Sequence, residues 1–157
     1  MYVVRTTEYL LERLADYNVD HVFGIPGDYI IPFFTEAEKT DIRMVTTTHE
    51  PSAGFAADGY ARIKGLGVAV ATWGVGALNM LNAAAQAFAE RSPVLFISGA
   101  PEINGRSPDR LLHHVIRDWD TQLRVYKEVT CASASLTDRS QVCEQIDTVL
   151  YEVMRLR

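Results

Sequence analysis

Two hydrophobic periods alternate along this chain, and the switches between them mark out its elements. Leu10, Leu11, Leu14 and Tyr17 recur at helical spacing and predict a helix over 6–17, with Thr6 or Thr7 as its cap. The apolar run 21–24 predicts a short buried strand, stopped by Gly24-Ile25-Pro26-Gly27. A short helix is expected over 29–37, with Ile30, Phe33 and Phe34 facing inward. The β-branched stretch 43–48 predicts the next strand. Pro51 then suits a first helical turn, where its missing N–H costs nothing. Residues 52–64 continue that helix, and Gly65 and Gly67 end it.

The second half repeats the pattern. Residues 68–73 form an apolar run broken only by Thr72 and predict a strand. Gly74-Val75-Gly76 turns the chain into an Ala-rich helix over 77–89, and 94–97 is the next strand. Residues 102–110 are polar and turn-rich, 113–125 reads as a helix or irregular helical segment, 129–136 as a strand, and 140–156 as a closing helix. Strands alternating with helices mean crossover units, hence an α/β fold of one domain, 1–157, with a parallel sheet between two helical layers. Ligands in such sheets sit at the carboxyl ends of strands. That rule selects 24–28, 48–50, 72–76 and 98–100, three of them rich in Gly or Pro.

Composition narrows the class. With 15 Lys+Arg against 20 Asp+Glu the formal net charge is −5, and 48% of the residues are hydrophobic. These proportions exclude intrinsic disorder, and the acidic balance argues against non-specific nucleic-acid binding. No stretch of about 18 apolar residues occurs, so no membrane span is expected. Arg5, Glu8, Glu12 and Arg13 come too early for a signal-peptide core, which makes the cytoplasm the expected location. Cys131 and Cys143 are too few for a disulfide scaffold and lack zinc spacing. Cys131, within an expected strand, reads as a small buried hydrophobe.

Glu50 is the most informative single residue. It joins a strand end to a helix start, where the helix dipole favours a carboxylate. From spacing alone, ordinary decoration of a first turn is the better explanation. However, Ala53, Gly54, Ala56 and Ala57 leave the helix nearly bare beside it, so close packing would place Glu50 in a dry crevice. Asp28 reads as a turn residue or cap when taken alone. His113 and His114 are adjacent, and on a helix they would point to different sides, which argues against a shared metal. Tyr29 and Trp73 read as packing residues. The Gly74-Val75-Gly76 loop lacks the third glycine and the later acid of a dinucleotide fingerprint.

Taken together, several motifs carry a resemblance. Gly24-Ile25-Pro26-Gly27-Asp28, His49-Glu50-Pro51-Ser52-Ala53, Ala57-Asp58-Gly59-Tyr60-Ala61-Arg62, Gly76-Ala77-Leu78-Asn79 and Ser98-Gly99-Ala100-Pro101 resemble the N-terminal domain of thiamine-diphosphate-dependent enzymes. Asp28 and Leu112-His113-His114 resemble the 2-oxo acid decarboxylases among them, the pyruvate, indolepyruvate and phenylpyruvate type. The resemblance runs over the whole chain in matching order. It implies a thiamine-diphosphate-binding fold that holds the aminopyrimidine end of the cofactor. By the same resemblance Glu50 shares a proton with a pyrimidine ring nitrogen, and Pro26, Gly27, Thr72 and Gly74 touch that ring. Asp28, His113 and His114 then position the 2-oxo acid and move protons.

Two departures shape the expectation. The family holds the diphosphate and Mg²⁺ through a Gly-Asp-Gly segment and a following Asn in a separate domain, and no such segment occurs here. In the family a further apolar strand also follows the closing helix and lies beside the strand matching 94–97. The expected protein is therefore a truncated pyrimidine-side domain lacking its last strand, inactive until a diphosphate- and Mg²⁺-binding domain or subunit completes it in a homo- or hetero-oligomer. Without the last strand, 129–136 would lose its sheet neighbour. A non-catalytic fragment or interaction module is one alternative. A piece of an acetolactate-synthase-like carboligase is another, against which the His113-His114 pair counts. A flavodoxin-like module would need an anion-binding loop where this chain puts Pro26 and Asp28.

Overall fold

Four strands, β1 (His21–Gly24), β2 (Arg43–Thr46), β3 (Gly67–Ala71) and β4 (Val94–Ser98), run parallel in the order β2-β1-β3-β4 in a computed structural model that describes residues 5–107 and 112–157. Among these residues the helices are α1 (Thr6–Asp16), α2 (Ile31–Ala37), α3 (Glu50–Lys64), α4 (Val75–Asn79), α5 (Leu81–Ala89), α6 (Thr121–Lys127) and α7 (Val142–Arg155). β3 is buried from end to end, and its alternation sorts the two faces. Val68 and Val70 enter a large-residue core with Leu10, Leu14, Phe33, Ile146 and Leu150, supplied by α1, α2 and α7. Ala69 and Ala71 face the other way, against Ala57 and Ala61 of α3 and Met80 and Ala87 of the α5 side. The result is the expected three-layer α/β/α arrangement.

Small residues on that second face let the helices close tightly. A Cβ added to Gly54 of α3 would stand 2.5 Å from the Ala83 Cβ of α5. The bare faces of the helices expected at 52–64 and 77–89 are therefore spent on each other and on β3 inside the chain. The second of these helices is divided at Met80 into α4 and α5 and begins two residues earlier than expected.

Four further expectations are corrected. No strand forms over 129–136: among the described residues β4 pairs only with β3. A trough of about 1000 Å³ is bordered by β4 and by the residues from Val129 to Thr137. Cys131 is consequently exposed rather than buried. Of the segment expected over 113–125 as a helix or an irregular helical stretch, regular helix forms only from Thr121, and 112–120 is irregular. At the start of α1 neither threonine caps. Instead the Arg5 N–H donates to Glu8 Oε2 at 3.2 Å. The polar stretch expected over 102–110 is described to Ser107, where it contains one short 3-10 turn, Ile103–Gly105; its remainder lies outside the described residues.

Candidate functional site

The carboxyl ends of β1 and β3 lie side by side at the place where strand order reverses, with β2 on one flank and β4 on the other. This is the position at which open parallel sheets bind ligands. The loops that leave these two strands touch. A Cβ added to Gly27 would lie 2.6 Å from the Thr72 Cβ, so only glycine lets the β1 loop reach the β3 loop. Thr72 Oγ1 is buried there without a hydrogen-bond partner. A buried hydroxyl left unpaired is costly, which marks this as a place built to meet a polar group.

Glu50 opens α3, preceded by His49 in extended conformation and followed by Pro51 in the first turn. Its Oε2 accepts a hydrogen bond from Asn79 Nδ2 at 2.7 Å. Its Oε1 points toward Gly76, 3.4 Å from where a Cβ would stand, and Thr72 Cγ2 comes within 2.9 Å of the same point. Thr72 thus lies between the β1 loop and Glu50. The carboxylate is half-buried rather than enclosed in the expected dry crevice, since the alanine face of α3 is turned to β3 instead.

On the β1 side a second cluster forms. His113 Nε2 stands 2.5 Å from Asp28 Oδ2, and Asp28 Oδ1 accepts from the Tyr29 N–H at 3.1 Å. Partial desolvation resists ionisation of Asp28, but His113 and the Tyr29 amide outweigh it and hold the carboxyl below its ordinary value. Tyr29 stacks on His113 with centroids 4.9 Å apart, and its phenol is pushed up by burial and then by the charge of Asp28. His114 adopts φ 68, which brings its ring centroid within 4.5 Å of that of His113. The two histidines therefore share one site, contrary to the helical expectation, because they sit on a turn rather than a helix.

Gly74 ties the cluster to the β3 loop. It has φ 75, and the His114 carbonyl oxygen crowds the place a Cβ would take, leaving no room for a side chain. Its N–H donates to Gln122 Oε1 at 2.7 Å. Trp73 is buried and stacks with Trp119 at 5.7 Å. Asp118 accepts from Arg124 at 2.7 Å and from the Asp120 N–H at 3.0 Å, and Arg124 leads in holding its carboxyl down to about 2.

Of the residues expected from sequence, Gly27, Thr72, Gly74 and Glu50 converge on the β1/β3 crevice, with Pro26 exposed at its rim. Asp28, His113 and His114 gather beside it. Sequence reasoning missed the roles of Asn79, Gln122, Tyr29 and Asp118. Asn79 ends the Gly76-Ala77-Leu78-Asn79 motif, but nothing local signals a bond across 29 residues. Gln122 carries no motif at all.

A parallel α/β domain with its polar groups at the β1/β3 switch defines a nucleotide- or cofactor-binding class. The chain belongs to the thiamine pyrophosphate enzyme family, whose N-terminal TPP binding domain matches residues 4–124. It is 48% identical over 149 residues to an indole-3-pyruvate decarboxylase of Azospirillum brasilense, covering 94% of this chain and 27% of that protein. It is 43% identical to an alpha-keto-acid decarboxylase of Mycobacterium leprae, covering 94% of this chain and 26% of the relative. An alpha-keto-acid decarboxylase of Mycobacterium tuberculosis is 42% identical, with 93% and 26% covered. The chain thus spans about a quarter of the length of these curated relatives. Among the described residues no helix is long and apolar enough to cross a membrane.

Proposed function

We propose that this chain is the pyrimidine-side domain of a thiamine-diphosphate-dependent, non-oxidative 2-oxo acid decarboxylase, completed by a separate domain that binds the diphosphate and Mg²⁺. The observation that carries this reading is the Glu50 carboxyl beside the unpaired Thr72 hydroxyl, in a crevice that glycines keep open. A flat, nitrogen-bearing ring fits those groups: Thr72 Oγ1 offers a donor or acceptor, and Glu50 Oε1 a proton partner. When bound, the cofactor supplies the electron sink that lets CO2 leave a 2-oxo acid.

Glu50 holds or accepts a proton at Oε1, facing the ring nitrogen, while Oε2 stays occupied by Asn79. Pro26, Gly27, Thr72 and Gly74 line the ring. Asp28, with His113 and His114, positions the 2-oxo acid and handles protons after carbon dioxide has left. Ile31, Phe55 and Val75, on helices at this end of the sheet, are 52%, 42% and 53% exposed. Such apolar surface supports docking of the diphosphate domain against this end. The names of the relatives support the 2-oxo acid, and the Asp28–His113–His114 cluster favours a decarboxylase over a carboligase.

The test is reconstitution with a diphosphate-binding domain taken from a related decarboxylase. Thiamine-diphosphate-dependent release of CO2 from an aryl or alkyl 2-oxo acid, lost in Glu50→Gln, is expected. Binding of the domain and cofactor with no CO2 release from any 2-oxo acid overturns the reading.

A further inference from the structure

Asp28, His113 and His114 each present one ligand-type atom, and the three atoms lie within 4.8 Å of one another. We propose that these side chains form a binding site for a late first-row divalent metal ion, Zn²⁺ being the probe, and that the ion closes the cluster to an organic substrate. One carboxylate and two imidazoles make a donor set suited to Zn²⁺, which takes nitrogen and oxygen at about 2.0–2.2 Å and keeps an open position when only three protein ligands bind. Tetrahedral bonds of that length put ligand atoms roughly 3.3 Å apart. Reaching that spacing needs His113 Nε2 and Asp28 Oδ2 to part slightly from 2.5 Å and His114 to draw in. The side chains of Asp28 and His113 are 52% and 56% exposed, so the movement disturbs little packing.

Surrounding groups already favour ligation. Asp28 Oδ1 is taken by the Tyr29 N–H, which leaves Oδ2 as the coordinating oxygen. His113 Nδ1 stands 3.5 Å from Tyr29 Oη, and the Tyr29 hydroxyl donates to the His113 carbonyl at 3.3 Å. When an ion takes the place of the proton between His113 Nε2 and Asp28, a proton on Nδ1 can go to Tyr29 Oη, in the arrangement by which outer partners usually fix a metal-bound imidazole. The left-handed backbone of His114, packed on Gly74, sets the second imidazole against the first. An ion held here would occupy the groups assigned above to the 2-oxo acid, so metal and substrate would exclude each other. The ion site itself stands on this geometry, and its test reads binding rather than turnover, so it can fail while the decarboxylase reading survives, and the reverse.

Cys131 and Cys143 are exposed thiols and would compete for the ion, so the titration uses the 157-residue chain carrying Cys131→Ser and Cys143→Ser. The titration is run near pH 7.5, because metal binding displaces protons from its ligands. Calorimetry with Zn²⁺ and the visible spectrum with Co²⁺ are expected to show one saturable ion per chain, in a four- or five-coordinate field. His113→Ala, His114→Ala and Asp28→Ala should each weaken binding by about tenfold or more. His21→Ala and His49→Ala, which remove the other two histidines, should leave it unchanged. Circular dichroism confirms that each variant is folded, and Asp28→Asn provides the isosteric check. The proposal is overturned by the absence of saturable binding, by affinity that survives His113→Ala, or by loss of the ion in His21→Ala or His49→Ala.

Discussion

Asn79 Nδ2 donates to Glu50 Oε2 at 2.7 Å and so joins the last residue of α4 to the first residue of α3. An oxygen that accepts a hydrogen bond is a poor place for the carboxyl's own proton. In the role proposed for Glu50, the bond would direct a shared proton to Oε1, the oxygen that faces Gly76. Replacing Asn79 with Ala frees the carboxyl to rotate. Hydrogen bonds to charged groups are worth about 1.5–3 kcal/mol, so cofactor C2 hydrogen–deuterium exchange in a reconstituted complex is expected to slow by about 10–100-fold. An Asn79→Ala complex that exchanges at the unmodified rate would sink this role.

Glu50 itself should matter more. Glu50→Gln keeps the size and the hydrogen bond but cannot share a proton, and loss of one placed proton-transfer partner typically costs about 10²–10⁴ in rate. Asp28→Asn and His113→Ala should spare C2 exchange and slow later substrate steps. The chain without a diphosphate-binding partner is expected to release no CO2 from pyruvate or phenylpyruvate, even with thiamine diphosphate and Mg²⁺ present. Measured turnover by the chain alone would contradict the division of labour between two domains.

Two glycines should respond to alanine in opposite directions. Gly74→Ala puts a Cβ into the His114 carbonyl at φ 75, and a non-glycine residue in that strained region costs about 1–3 kcal/mol before any clash. Gly59 lies inside α3 with nothing within 4 Å of an added Cβ, so Gly59→Ala should stabilise by about 0.5–1 kcal/mol. Urea unfolding of the two variants gives the comparison. Equal midpoints would show that the 72–76 loop and the His114 turn do not pack as described.

The Asp118 carboxyl is held down to about 2, chiefly by Arg124, against the ordinary 3.8. Because folding lowers this pKa, its contribution to stability is complete above the ordinary value and is lost as pH falls from about 4 toward 2. Asp118→Asn should therefore weaken the chain at neutral pH, with the difference from the unmodified chain closing over that acid window. Fluorescence of Trp119, which stacks on Trp73, reports the change locally. A difference that persists unchanged at pH 2 would assign the effect to something other than this carboxyl.

The elements with strong periodicity were legible in the sequence. The buried run at β3, the helix behind Pro51 and the glycine-rich strand ends all follow from local rules. The strand expected over 129–136 was not, because a strand exists only through its neighbour, and alternation along one segment cannot say whether that neighbour is present. The same limit governs the site. Glu50 and Asp28 were visible because strand ends in parallel sheets carry ligands. Asn79, Gln122 and Tyr29 act through bonds to residues 29, 48 and 84 positions away, which no local signal encodes. The paired histidines misled in one respect. Their helical spacing argued for divergence, whereas a single left-handed residue at His114 turns them together.

Among the described residues, strand β4 is hydrogen-bonded to another strand along one side only, and it also borders the trough. Its sequence, Val94-Leu95-Phe96-Ile97-Ser98, is apolar, β-prone and uncharged, with a single proline, Pro93, just before it. Rims of this kind template pairing with other chains unless a charge or a proline interrupts them. The opposite rim, β2, carries the exposed Arg43. Self-association of the isolated chain should therefore begin at β4, as edge-to-edge stacking into ordered aggregates. A lysine introduced at Leu95 or Ile97 should act as a gatekeeper, suppressing those aggregates at the expense of the core beneath.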